Sequence, residues 1–134
     1  MQLNTQTAQA IIDGAQVKAE AIGAPVIVAV LDSGAHLKAF RRMDGAVLGS
    51  IDVAIRKART AVLFECNSED VWQYCKPGGP AHALELTNEG LAPFGGGIAI
   101  KDAYGRLIGA IGVSGGSVDQ DVEVALAAFK ALPR

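Results

Sequence analysis

The sequence predicts an α+β domain, with antiparallel hairpins packed against helices. Three observations carry this. A long amphipathic helical period opens the chain, two pairs of short apolar runs each fold about a turn, and a well-capped helical period closes it.

Residues 5–22 place Ala8, Ile11, Ile12, Ala15, Ala19 and Ile22 at helical spacing, with Gln9, Asp13, Gln16 and Glu20 on the other side. Thr5 or Asn4 can cap the start, and Gly23 and Pro25 stop the helix. The run 25–31 (PVIVAVL) is short, continuous and β-branched, which predicts a strand covered on both faces. Asp32 to Ala35 is turn chemistry, and His36 to Arg42 returns as the second strand of a hairpin. A loop, Arg42 to Ala46, leads to a second helix from about Ser50 to Phe64. Its expected buried stripe is Ile51, Ala54, Ile55, Ala58 and Val62, and Asp52 and Arg56 form a favourable i,i+4 pair. Ser68 is expected to cap a short helix with Glu69 and Asp70 in its first turn.

Residues 76–97 read as an irregular, glycine-rich segment with a short helical piece near 81–87, and irregular stretches of this length in a compact domain are functional or mobile. A second hairpin is expected from 97–101 and 106–114 across Asp102 to Gly105. In its later strand Leu107, Ile111 and Val113 share one face. Ala110 and Gly112 share the other, where a helix or a second subunit packs closely. Ser117 and Gln120 form a capping box for a last helix whose repeating face is Val118, Val122, Ala125, Phe129 and Leu132. No linker or repeat interrupts residues 1–134, so they read as one domain.

Half of the residues are hydrophobic but only 5% are aromatic, so Ala, Val, Ile and Leu must build a tightly packed core. A formal net charge of −2 with no basic stripe argues against nucleic acid and against an anionic membrane as partner. The start lacks a signal-peptide pattern and no apolar run is long enough to span a bilayer, which predicts a cytoplasmic protein. Cys66 and Cys75 match no zinc or CxxC spacing and read as two reduced thiols.

The chemistry-bearing residues are few. His82, after the Pro77–Pro80 loop with Gly78 and Gly79, can be an axial ligand to haem iron, a general base, or a plain surface histidine. His36 is expected to face solvent. Met43, Tyr74, Cys66 and Cys75 are further conceivable iron ligands, and Met43 also suits a core gap. Arg42 and Asp44 bracket an abrupt strand-to-loop change, as a loop-fixing pair or as ligand contacts. Lys57 either points inward, where it could anchor a carboxylate, or outward into solvent. Asp44 and Asp121 could form a carboxylate pair, or could each satisfy backbone groups. The 109–116 stretch has neither a P-loop nor a dinucleotide pattern, yet Ser114, Gly115 and Gly116 lead into a helix N-terminus that can bind an anion.

Several stretches resemble the haem-binding GlcG/HbpS-like family, which includes the C-terminal domain of PduO-type proteins. They are PVIVAVLDSG (25–34), FRRMDGA (40–46), SIDVA and KA-x-TA (50–61), GGGIAI (95–100), IGAIGVSGG (108–116) and DQDVEVA (119–125). The likeness runs through nearly the whole chain in order. It departs at Ala99, where family members often have Pro. The resemblance implies a profilin- or PAS-like antiparallel sheet of about five strands, with the fifth near 93–100 or split from one of the two hairpins. It also implies a homo-oligomer.

The expected function is therefore binding of a small ligand, haem or a carboxylate-bearing catabolite. The pocket would lie between the 42–46 loop, the 76–97 segment and the 114–117 turn. Its ligand contacts would be Arg42, Asp44, Lys57, Gly78, Gly79, His82, Ser114, Gly115 and Gly116, with His82 on iron if haem is bound. The alternative is a cofactor-independent hydrolase, isomerase or dehydratase acting on a small organic acid, with His82, Asp44 or Asp121 as base. A structural accessory subunit is the third reading.

Overall fold

The computed structural model describes residues 3–133. The order of elements is α1 (Thr5–Ile22), β1 (Ile27–Asp32), β2 (Leu37–Arg42), α2 (Ser50–Phe64), α3 (Trp72–Cys75), β3 (Gly97–Lys101), β4 (Leu107–Ser114) and α4 (Val118–Lys130). Short 3₁₀ turns cover Ser68–Val71 and Leu84–Leu86. The strands form one antiparallel four-stranded sheet in the order β2-β1-β4-β3.

α1 starts where Asn4 accepts the Thr7 N–H and ends on Gly23 in the left-handed region. It packs with α4 on one face of the sheet. Ile11, Ile12, Ala15, Val124, Ala125 and Ala128 meet Val28, Val30, Ile100, Ile111 and Val113 there. The opposite face receives α2, whose Ala54, Ala58 and Ala61 lie on Ile27, Ala29, Leu31 and Ala110. β1 is thus covered on both faces, as its unbroken apolar run requires. α2 lies very close to β4: a Cβ at Gly112 would collide with the Ala54 carbonyl oxygen.

Several expectations need correction. The described residues hold four strands rather than about five, because residues 91–96 bend and turn towards β3 without forming a strand of their own. A register shift between Ile100 and Lys101 pairs Lys101 with Leu107 and leaves Ile108 unpaired. That bulge moves Leu107 to the α2 face beside Leu31 and Ala110, away from Ile111 and Val113. The cap of the first 3₁₀ turn is Asn67, not Ser68. On α4 the buried face is Asp121, Val124, Ala125 and Ala128, while Val118 is exposed. On α2 Ile51 and Ile55 are only half-buried, and Lys57, Thr60 and Ala61 are buried.

Ser68 and Asn67 have a second role. Their side-chain oxygens accept the N–H groups of Gly97 and Ala99 at 2.9 and 3.1 Å, closing the outer edge of β3.

Candidate functional site

Lys57 points inward. Its Nζ donates to the Val113 carbonyl at 2.8 Å and to Asp121 Oδ2 at 3.0 Å, and it lies 5.3 Å from the centroid of the Phe94 ring. Only 1% of the lysine side chain and 4% of the aspartate side chain are exposed. Glycine makes this seat possible: a Cβ at Gly96 (φ +126°) would lie 2.7 Å from Nζ and 2.5 Å from the Val113 carbonyl. Burial pushes the Asp121 carboxyl above the ordinary value of 3.8 despite the adjacent lysine, and the same loss of water pushes the Lys57 ammonium below 10.5.

The other Asp121 oxygen accepts the Gly116 N–H at 2.9 Å. The Ser117 N–H goes to Gln120 Oε1, and the Gln120 N–H to Ser117 Oγ at 3.2 Å. The N-terminus of α4, expected to hold an anion near Ser114, Gly115 and Gly116, therefore already holds the chain's own carboxylate.

The 42–46 loop and the 114–117 turn do sit at one end of the sheet, since Ile27 pairs with both Arg42 and Ser114. The 94–97 stretch joins them through the Val113 N–H, which donates to the Gly96 carbonyl at 2.9 Å. What lies against 94–97 is the Lys57–Asp121 pair. The rest of the long segment runs elsewhere: the Thr60 hydroxyl accepts the Ala92 N–H at 2.9 Å, and Gly79 lies against the carbonyls that end α3. Asp44 is exposed and Asp121 is buried with Lys57, and the two carboxylates occupy separate surroundings.

Of the remaining candidates, Arg42 and Asp44 line one hollow, while Gly78, Gly79 and His82 adjoin in sequence the wall of a second without being among its lining residues; the two hollows share no lining residue. Arg42 and Asp44, with Gln16, Glu20, Arg41 and Met43, line a polar one of about 250 Å³. Phe64, Cys66, Asp70, Val71, Gln73, Tyr74, Ala81 and Leu84 line a mainly apolar one of about 540 Å³. His82 is exposed and follows Ala81 directly; Gly78 and Gly79 precede it in the same segment. Both thiols are free, and burial raises both above the ordinary value of 9.0. His36 faces solvent beside Asp32, 3.3 Å away. Ser68 was missed as a site residue: it is fully buried, donates to the Phe94 carbonyl at 2.6 Å and fixes the stretch that covers Lys57.

Among the described residues no group of three or more His, Cys, Asp or Glu could hold a metal ion, and no helix is long and apolar enough to cross a membrane.

One antiparallel sheet with a helical layer on each face, and an ion pair sealed among glycine turns, define an α+β domain of a known class. The chain belongs to the HbpS-like family: the family model described as "haem degrading protein HbpS-like" matches residues 3–130. It is 37% identical over 121 residues to an uncharacterized 15.0 kDa protein encoded between dhaT and dhaS in Citrobacter freundii, covering 87% of this chain and 84% of that one. It is 33% identical to the corrinoid adenosyltransferase PduO of the same organism, over 98% of this chain but only 39% of PduO. The crystal structure of a PduOC:haem complex superposes with a TM-score of 0.92 at 32% identity, covering 98% of this chain and 95% of that one.

Proposed function

We propose that the chain binds a small, flat, largely apolar ligand in the hollow between the end of α2, α3 and residues 77–86, and that the ligand is haem. The observation that carries this reading is the composition of that hollow. Phe64, Val71, Ala81 and Leu84 supply apolar walls, and its volume of about 540 Å³ falls within the usual range for small-molecule sites. The likeness to the PduOC:haem complex and the family's haem chemistry support the choice of ligand.

The donor set fits the group. An exposed imidazole, His82, stands beside Ala81, and a phenol and a thiol, Tyr74 and Cys66, line the hollow. His82 is the proposed axial ligand, with Gly78 and Gly79 shaping the segment that presents it. Haem bound there would supply an iron centre whose reactivity the axial ligand tunes. The polar hollow sets Arg41 and Arg42 against Glu20 and Asp44, and since Arg41 is tied to Asp13 and Gln16, the Arg42 guanidinium is the group there that would meet a ligand carboxylate with paired hydrogen bonds. Lys57, Ser114, Gly115 and Gly116 act behind these surfaces by holding the turn in place.

Titration with haemin tests the reading. A saturable Soret shift is expected, with His82→Ala weakening binding by tenfold or more, on the order of the effect of losing one coordinating ligand. Spectra indistinguishable from free haemin would end the haem assignment. An unchanged affinity in His82→Ala, with loss in Tyr74→Phe or Cys66→Ser, would move the iron to those donors.

The Lys57–Asp121 pair favours a second reading, because buried charged groups with displaced proton affinities are common at catalytic centres. In that reading the chain is a cofactor-independent enzyme acting on a small organic acid, with the exposed His82 or Asp44 as base and Asp121, sealed with Lys57, acting only by holding the 114–117 turn. Undiminished turnover in Asp121→Asn, His82→Ala and Asp44→Asn would remove it.

A further inference from the structure

The chain has one tryptophan, Trp72, and it stands 49% exposed on a hollow of about 500 Å³. Glu69, Asp70, Pro93 and Phe94 complete the lining, and only Asp70 also belongs to the hollow assigned to haem. No lysine or arginine lines it. Glu69 is exposed and makes no ion pair among the described residues. One Asp70 oxygen accepts the Asn67 N–H at 3.1 Å, as part of the capping box.

Two aromatic rings, a proline and two carboxylates select one kind of occupant. An anion would meet two negative charges. A neutral apolar molecule would gain nothing from the carboxylates and would strip water from them. A cation gains twice, from the π faces and from the acids. Lys57 lies under the Phe94 ring, but Asp121 at 3.0 Å balances its charge and neither group reaches solvent. A bare ammonium keeps its water. An alkylated one is weakly hydrated and offers methyl groups to Trp72, Pro93 and Phe94. We propose that this hollow binds a small organic cation carrying an alkylated ammonium group. The proposal is independent of haem binding.

Trp72 is its own reporter, because no other indole contributes to the emission. Choline and tetramethylammonium chloride are titrated into the full chain at ionic strength matched with sodium chloride. The uncharged isostere of choline, 3,3-dimethylbutan-1-ol, serves as the control. A saturable change in Trp72 emission is expected with both cations and not with the alcohol. Glu69→Gln and Phe94→Leu should each weaken it roughly fivefold, the scale of one exposed cation–π or charge contact. Thermal melts of both variants verify that they are folded. Equal binding of the alcohol, no saturable change with either cation, or unchanged affinity in both folded variants would overturn the proposal. So would emission that shifts with protein concentration alone and is then insensitive to the cations, which would mean that a second copy covers the hollow.

Discussion

At the scale of single residues, Lys57 and Asp121 stand out because each would be untenable without the other. They are 64 positions apart and belong to helices on opposite faces of the sheet. No local pattern could have revealed the pair. Helical spacing places Lys57 beside Ala54, Ala58 and Ala61, which allows an inward direction, but what decides it is a carboxylate at the far end of the chain. Lys57→Met should cost roughly 3–5 kcal/mol in urea denaturation, because Asp121 is left charged and unpaired in the interior. Lys57→Met/Asp121→Leu should recover most of that loss; a single variant as stable as the wild type would contradict this account. The pair also shapes the pH response. Between 3.8 and its raised folded value, Asp121 keeps a proton in the native state that the unfolded chain has released. Its contribution is therefore complete below 3.8 and is lost as pH rises through the folded value. Lys57, lowered by burial, acts in the alkaline window: between its lowered folded value and 10.5 the unfolded chain holds the extra proton, so stability rises with pH there. Urea midpoints of the wild type relative to the double variant should fall with rising pH on the acid side. A flat difference would show that Asp121 titrates alike in both states.

At the scale of elements, helix ends were the most legible feature. Residues 5–22 and 50–64 are helical as their periods require, and the Ser117–Gln120 box caps α4. Bulges were not legible, because an extra residue in one strand leaves the apolar pattern readable in either register. Both hairpins carry one, in the same place. Val30 pairs with Ala39 and Leu31 with Leu37, just as Ile100 pairs with Gly109 and Lys101 with Leu107. Each turn is held by an aspartate that accepts two backbone N–H groups: Asp32 from Gly34 and His36, Asp102 from Tyr104 and Arg106. The small-residue face of β4 was legible, and what presses on it is α2 rather than a second subunit. Gly112→Ala should therefore force α2 away from the sheet and cost roughly 1–3 kcal/mol or more, read as a fall in Tm. A variant melting with the wild type would show that the contact gives way freely.

At the scale of the whole molecule, the layers followed from β1, whose unbroken apolar run demanded cover on both faces. The strand number did not follow, because glycine-rich residues 91–96 carry no period. The split of the expected pocket was also hidden: the loops that approach each other do so around an internal ion pair. Stability should be graded across this architecture. Amide exchange is expected to be slowest in the central strands β1 and β4. It should be fastest in residues 76–90, which lie outside both packed layers, and equal protection throughout would contradict this. The two margins of the sheet differ as well. One is sealed by Asn67 and Ser68, whereas no hydrogen bond among the described residues occupies the outer side of β2. Any strand-wise association is thereby confined to one flank. Two molecules meeting there would use up both vacant margins at once, so such pairing closes at a dimer and has no route to a growing fibre.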